Sequence, residues 1–445
     1  MKSQDKRLDS SQDRRDFLKV AATVGGGLSL SAASLEAKEE TRDAGSPRPK
    51  DDIRIGFVGV GARGRHLVSL LLGLEGVRIP AVCDIIPDRV KWAQDAVSKA
   101  GQPMPAGYDR GPTDFERLCE QEELDLVINA TSWNWHVPIC VAAMKAGKHA
   151  AVEVPAAVTE EGCWRLVETA EKTKLHCVML ENCCYGRTEM MFLNMVRKGL
   201  LGDVVHAEAG YMHEYCRGWT GWRFEQTNGR DGNLYPTHGL GPVAQCMNID
   251  RGDRFDYLVS MSTRSSGMNE YYREALGADH PKAKAEYTQG DVNVSLIRTV
   301  NGSTITLGYD TQLPRPYSRI NLVQGTKGVA HGFPERISVQ GPGNDHAWNS
   351  LDAFREEYEH PLWKQLHAQA EGKGHGGMDY LVLYRLIEAF RNGTPPDMDV
   401  YDAASWSVVS ALSERSVANR SRPIDFPDFT RGKWRTNSPL GIVTA

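Results

Sequence analysis

A tyrosine and a histidine three residues apart, Tyr235 and His238, offer the most direct acid–base chemistry in this chain. They sit in Gly232-Asn233-Leu234-Tyr235-Pro236-Thr237-His238-Gly239-Leu240-Gly241-Pro242. The proline and glycines predict a loop or a helix entry there, not the middle of a helix. A lone histidine is usually a satisfied core residue, but this glycine, proline and aromatic frame argues for a side chain held at a working surface. Phenol and imidazole both exchange protons once their surroundings tune them towards neutral pH. Tyr185, Tyr211 and Tyr317 each fall beside an expected strand end or turn, where a ring lines a ligand site as readily as a core. Arg223, in a loop with Trp219 and Trp222, has donors for hydroxyl or amide oxygens, or for a surface salt bridge. His136, His238 and His375 are far apart and no HExxH spacing occurs, so no metal is expected.

A second kind of chemistry lies near residue 60. The apolar strand Ile53–Val58 runs into Gly59-Val60-Gly61-Ala62-Arg63-Gly64, followed by helical apolar spacing over 66–74. Gly59 suits a tight turn, Gly61 lets a pyrophosphate approach the backbone, and Gly64 lets helix and strand pack closely. The free N–H groups and dipole of the helix start favour the phosphates. A second strand, Val77–Cys83, ends in Asp84, 25 residues after Gly59. A carboxylate there accepts the ribose hydroxyls and repels a 2′-phosphate, which favours NAD over NADP.

The elements that must position these groups alternate strand and helix. Strands are expected at 124–130, 149–152 and 176–180, with a helix over 137–146, as in a doubly wound parallel sheet. Ligands of such sheets lie beyond the carboxyl ends of the strands. That places Thr131-Ser132-Trp133-Asn134-Trp135-His136, Glu153 with Val154, and Glu181-Asn182 near the same ligand. Beyond about residue 204 the pattern alternates apolar and polar, as in Ser303–Leu307 after the Asn301-Gly302 turn, and predicts an antiparallel sheet with one buried face. A long charged insertion follows, then helices over 381–390 and 403–417.

At 445 residues more than one domain is expected. The net charge of -5 shows no basic stripe, which argues against nucleic acid, and no apolar run is long enough to span a bilayer. Nine cysteines without paired spacing read as buried small hydrophobes, not as a disulfide framework. Arg14-Arg15-Asp16-Phe17-Leu18-Lys19 before the apolar stretch Val20–Ala33 resembles a twin-arginine export signal, so a periplasmic protein is expected.

These features resemble the Gfo/Idh/MocA oxidoreductases, which join a Rossmann domain to a C-terminal α+β domain with a large, mainly antiparallel open sheet. Lys145-Ala146-Gly147-Lys148-His149, Gln324-Gly325-Thr326-Lys327-Gly328 and His375-Gly376-Gly377 carry the likeness. The resemblance implies domains at 51–182 and 183–430, after a signal and linker over 1–50 and before a tail over 431–445. One departure matters: dehydrogenases of that family usually carry Glu-Lys-Pro where this chain has Glu153-Val154-Pro155. A narrower likeness, through the Tyr235–His238 segment, Trp133-Asn134-Trp135-His136, Glu181-Asn182-Cys183-Cys184-Tyr185 and Gly374-His375-Gly376-Gly377-Met378-Asp379-Tyr380, is to the NAD-dependent α-N-acetylgalactosaminidases of glycoside hydrolase family 109.

That likeness implies glycoside cleavage by an oxidation–elimination–addition–reduction cycle with recycled NAD, and no paired carboxylates. Residue chemistry and resemblance together assign His238, Tyr235 and Tyr185 to catalysis. They assign Gly59, Gly61, Ala62, Arg63, Gly64, Asp84, Trp133, His136, Glu153, Val154, Asn182 and Tyr235 to the cofactor. Tyr211, Arg223, Tyr235, Pro236, Thr237, His238 and Tyr317 are assigned to a glycan substrate. A homo-oligomer is expected. The competing readings are an NAD-dependent sugar or polyol dehydrogenase, opposed by the missing lysine, and a non-catalytic sugar-binding Rossmann protein, opposed by the intact loop, Asp84, Tyr235 and His238.

Overall fold

Short strands, apolar on both faces, build the first sheet. These are β1 (Ile53–Val58), β2 (Val77–Cys83), β3 (Ala106–Tyr108), β4 (Leu126–Asn129), β5 (His149–Val152) and β6 (Cys177–Met179). All pair in parallel, in the order β3-β2-β1-β4-β5-β6. Burial on both faces explains their near-continuous apolar runs. The crossovers are α1 (Ala62–Leu71), α2 (Pro87–Lys99), α3 (Asp114–Gln121), α4 (His136–Lys145) and α5 (Glu160–Thr173). The strand order reverses between β1 and β4, and such a switch point opens a crevice at the strand ends. The computed structural model describes residues 49–215, 221–341, 346–439 and 441–443. The Arg14-Arg15 segment expected as an export signal and Trp219 lie outside the described residues.

Helix α1 begins four residues before the apolar spacing indicates. Its first turn carries Arg63 and Arg65, which give no hydrophobic signal, while Gly61 caps it in an extended conformation. After α6 (Arg187–Arg197), the long strand β7 (Val204–Met212) starts the second sheet, followed by α7 (Trp222–Thr227), α8 (Thr237–Cys246) and β8 (Phe255–Ser262). Then come α9 (Gly267–Leu276), α10 (Pro281–Lys284), β9 (Asn293–Thr299), β10 (Thr304–Asp310), β11 (Leu322–Gly325), β12 (Gly328–Gly332) and β13 (Glu335–Val339).

The expected charged insertion contains α11 (Asp352–Tyr358) and α12 (Pro361–Ala370), the latter burying Leu362, Trp363 and Leu366. The chain closes with α13 (Met378–Asn392), α14 (Val400–Ser407), α15 (Val409–Ala418) and β14 (Ile424–Asp425). The single helix expected over 403–417 is therefore two, the first started by an Asp399–Asp402 capping box.

The second sheet runs β13-β12-β11-β7-β10-β9-β8-β14 and is antiparallel except for the β7–β10 pair. In β9 every second residue is buried, and Val294 and Leu296 stand on the exposed face with Met261. Helices α13 and α14 return to the first domain, α13 against α1 and β1, α14 against α5 and β6. The boundary expected at 183 thus marks where the chain leaves the first sheet, not where its contribution ends. The segment expected as a tail is packed: Trp434 and Ile442 are buried, and the Ile442 carbonyl accepts from His360 Nε2 at 2.7 Å. The described cysteines are buried and unbridged, and no described helix is long and apolar enough to cross a membrane.

Candidate functional site

The glycine loop opens onto a cavity of about 620 Å³, within the usual range for cofactor sites. Gly59 adopts φ +89°, the left-handed region open to glycine. A Cβ on Gly64 would stand 1.9 Å from the Gly59 carbonyl oxygen, so α1 packs on the loop as the motif requires. Val58 pairs with Cys83 and with Asn129, which brings Gly59, Asp84 and Ala130 to one edge of the cavity. Asp84 accepts the backbone N–H groups of Val60 (2.7 Å) and Ile86 (3.0 Å), and this fixes its carboxylate at the rim. Gly61, Ala62, Arg63, Trp133, Trp135, Glu153 and Val154 also line the cavity, and Arg63 Nε donates to Glu153 Oε1 at 2.8 Å. Open glycine backbone at a helix start, a rim carboxylate and this volume fit a dinucleotide.

His136 borders the same cavity, but its ring nitrogens face protein carbonyls: Nδ1 to Pro155 at 2.8 Å and Nε2 to Thr131 at 3.2 Å. A neutral imidazole donates from one nitrogen only, and the shorter contact marks Nδ1–H as donor. His136 therefore ties the turn after β4 to the turn after β5, a supporting role where direct cofactor contact was expected. Burial pushes its pKa down to about 4, against the pull of the two carbonyls.

This depression makes a prediction. Between pH 6.5 and about 4 the unfolded chain binds a proton at this histidine that the folded one refuses. Stability should be full above pH 6.5 and fall by on the order of 3 kcal/mol as the pH drops through that window. His136→Gln keeps a donor and should flatten the decline of melting temperature from pH 6.5 to 4. An equally steep decline in the variant would assign the acid sensitivity elsewhere.

The second half of the site is built where α8 meets β7. A Cβ on Gly239 would lie 2.5 Å from the Gly210 backbone, so only glycine permits this approach of helix to strand. It seats Tyr235, just ahead of α8, against Tyr211 near the end of β7, with the rings stacked at 4.8 Å. Pro236 caps α8 and Thr237 is fully buried in its first turn. His238 touches both rings edge-on, at 4.9 Å from Tyr235 and 5.1 Å from Tyr211. Trp133 and Trp222 complete the wall, and Arg223 lies over the Trp222 ring while lining the cavity.

His238 Nδ1 stands 2.6 Å from Glu181 Oε1, which also accepts the Cys183 amide. Burial opposes the Glu181 charge, but His238 outweighs it and holds the carboxyl below the usual range. A carboxylate accepts only, so Nδ1 carries the proton and Nε2 is left as the base. The His238 side chain is 14% exposed and is not itself part of the cavity lining; it meets the cavity through the Tyr235 ring, which lines it. Burial, reinforced by the Glu153 and Glu181 carboxylates, pushes the Tyr235 phenol well up, and burial does the same for Tyr211. Both phenols are therefore donors near neutral pH.

Among the described residues one group, Glu181, Cys183 and His238, brings three metal-ligating atoms together. Its 2.6 Å contact is a hydrogen bond; two ligands of one tetrahedral zinc stand about 3.3 Å apart.

Not every expected residue reaches the cavity. Tyr185, assigned to catalysis, is buried away from it, with its hydroxyl 3.1 Å from Asp397 and its carbonyl accepting from Trp363. Burial and the hydrogen bond to Asp397 win there over the strand-end position. Asn182 is also buried behind the cavity lining and donates to Asp379 at 2.7 Å. Tyr317 is outside the cavity lining and exposed, 6.2 Å from the Tyr211 ring, with its hydroxyl accepting from Arg319 Nη1. Two site residues went unassigned in the sequence reading: Glu181, visible there only as a polar strand end, and His213, whose ring packs on Tyr211, Tyr215 and Tyr317.

Comparison with known proteins agrees with this geometry. The profile of the oxidoreductase family with an NAD-binding Rossmann fold matches residues 53–181, and that of the glycosyl hydrolase 109 C-terminal domain matches 185–219 and 215–436. A glycosyl hydrolase family 109 protein of Solibacter usitatus is 49% identical over 438 residues, covering 96% of this chain and 99% of that protein. An alpha-N-acetylgalactosaminidase of Shewanella oneidensis is 46% identical over 456 residues, covering 97% and 99%. Among solved structures, an NAD binding oxidoreductase from Klebsiella pneumoniae superposes with a TM-score of 0.68 at 16% identity, over 85% of this chain and 100% of that one. A levoglucosan dehydrogenase in complex with NADH gives 0.66 at 17%, over 84% and 99%. The chain, with its NAD-binding Rossmann domain, belongs to glycosyl hydrolase family 109.

Proposed function

We propose that this enzyme hydrolyses terminal α-N-acetylgalactosamine residues by an oxidation–elimination–addition–reduction cycle in which His238 Nε2 removes the proton from C2 of the sugar. The observation that carries the reading is the Glu181–His238 pair packed against Tyr235, which lines the cavity together with Val154, the residue that stands where a lysine was expected of a dehydrogenase. When bound, NAD supplies a hydride acceptor for C3 of the sugar and returns the hydride at the end of the cycle. The C3 hydroxyl gives its proton to solvent as the hydride leaves and regains one when the hydride returns; the carbonyl present in between acidifies C2. His238 takes that proton, and Glu181 at Nδ1 stabilises the imidazolium, as in other carboxylate–histidine pairs. Water adds at C1 and gives its other proton to the departing C1 substituent, and His238, its Nε2 proton exchanged with solvent, reprotonates C2. Tyr235, protonated, donates a hydrogen bond to a substrate oxygen, and Arg223 lies within the same wall to orient the acetamide. The two acidic residues lining the cavity are otherwise engaged, Asp84 with backbone amides and Glu153 with Arg63, so neither stands as a displacement carboxylate.

Turnover of a chromogenic N-acetyl-α-galactosaminide in D2O, without added cofactor, tests this. The expected product carries deuterium at C2, and NADH does not accumulate. Hydrolysis without deuterium at C2 would sink the cycle, and steady accumulation of NADH would mark a dehydrogenase.

A further inference from the structure

Asp379, in the first turn of α13, has a side chain with no exposure to solvent, yet four residues from three separate parts of the chain, two of them on α1, converge on it. Arg63 makes a two-pronged contact, Nη1 to Oδ2 at 2.8 Å and Nη2 to Oδ1 at 2.9 Å. Asn182 Nδ2 reaches Oδ1 at 2.7 Å, while His375 Nδ1 and His66 Nε2 stand 2.7 and 3.0 Å from Oδ2. Gly374 leaves room for this convergence, because a Cβ there would lie 2.2 Å from His66 Nε2 and 2.6 Å from Asp379 Oδ2. Burial opposes the Asp379 charge, but His375 and Arg63 outweigh it and hold the carboxyl well below its usual range.

Arg63 has no nitrogen left over. Its Nε goes to Glu153 at the end of β5 and its other two nitrogens go to α13. The residue itself belongs to the phosphate loop, and both Arg63 and Glu153 line the cavity. Its side chain therefore forms the stretch of cavity wall that joins the loop to the end of β5. A bidentate guanidinium–carboxylate contact fixes direction as well as distance. The anchor comes from a helix more than 300 residues further along the chain, packed on α1 and β1.

We propose that Asp379 is a positioning residue for Arg63, and that this clamp between α13 and the glycine loop sets how long the dinucleotide stays on the enzyme. The inference rests on the NAD-binding domain and extends it: a cycle that returns its hydride works only while the same cofactor molecule remains bound. Asp379 does not touch the cofactor. It acts by denying Arg63 the freedom to swing out of the wall and open it.

The test is the rate at which NADH leaves the purified holoenzyme, followed by its fluorescence after mixing with excess NAD+, together with the dinucleotide retained through gel filtration. Asp379→Asn keeps the size and loses the charge, and NADH should leave it about tenfold faster or more, equivalent to one broken charge-assisted contact. Arg63→Ala should give a similar increase, and the double variant no more than either alone, since both remove the same link. Release rates within twofold of the parent in folded D379N and R63A overturn the proposal, as do fully additive effects. Should D379N fail to fold, Arg63→Lys decides, because it keeps the charge but loses the two-pronged contact; an unchanged release rate in R63K overturns the clamp. A parent protein purified without any dinucleotide would instead sink the cofactor reading itself, a result separate from all of these.

Discussion

His238→Ala lowers kcat by roughly 100-fold or more, the usual scale for losing a positioned acid–base group. The loss falls on kcat because the imidazole acts on a proton that moves only during turnover, while the glycine loop and Asp84 that hold the dinucleotide are untouched. The variant should therefore purify with as much cofactor as the parent, and C2 exchange in D2O should fall in step with hydrolysis. Glu181→Gln provides the internal control. The Cys183 amide donates to Oε1 and keeps an oxygen opposite His238 Nδ1, so the tautomer survives while the charge is lost. Its kcat should fall by about tenfold, less than for the histidine variant, because only the stabilisation of the imidazolium is removed. Equal activity of H238A and the parent would remove His238 from the chemistry. A drop in E181Q as large as that in H238A would mean that the carboxylate does more than support the ring.

Gly64→Ala should lower stability by about 3 kcal/mol or more, at the upper end of overpacking costs, and strip the protein of dinucleotide during gel filtration. The new methyl group would meet the Gly59 carbonyl oxygen at 1.9 Å and its carbon at 2.9 Å, both of them backbone atoms with no side chain to rotate away. Either α1 shifts or the loop does, and both carry the phosphate site. Gly61→Ala separates packing from ligand approach. A Cβ there finds only the Arg89 guanidinium, at 3.6 Å, so the fold should melt within a few degrees of the parent while cofactor affinity falls, because the methyl group occupies the path of the pyrophosphate. Thermal melts and the dinucleotide content of the two variants check both statements. Normal cofactor content in G64A, or normal affinity in G61A, would refute the corresponding half.

The first domain was legible because its signals are local. Apart from the edge strand β3, whose Ala106 and Gly107 are exposed and which gave no signal, the strands of the parallel sheet are short apolar runs; the loop glycines lie within six residues, and Asp84 is placed by the length of a single βαβ crossover. The same locality made Tyr235 and His238 visible, since a proline and two glycines at a helix entry set them apart within one turn. Where local pattern and tertiary environment diverged, tertiary environment won. Tyr185 follows the end of β6 and Tyr211 lies near the end of β7, but Asp397 and Trp363 hydrogen-bond Tyr185, while the close contact of Gly210 with Gly239 sets Tyr211 against Tyr235 and His238. His136 stands at the right strand end but donates its Nδ1–H to the Pro155 carbonyl, because a buried ring must satisfy its donor.

Sequence alone therefore determined the dinucleotide fold, the choice of NAD and the acid–base candidates, since each is written in residues one or two turns or one crossover apart. Only the tertiary structure decided which groups work together. Glu181 and His238 are 57 residues apart and Arg63 and Asp379 are 316 apart, on elements that meet only once both sheets are assembled. Nothing in a carboxylate's local surroundings marks which distant cation or imidazole will pair with it. That pairing is set by the approach of backbones, and here by the small residues that let α8 onto β7 and His66 beside α13.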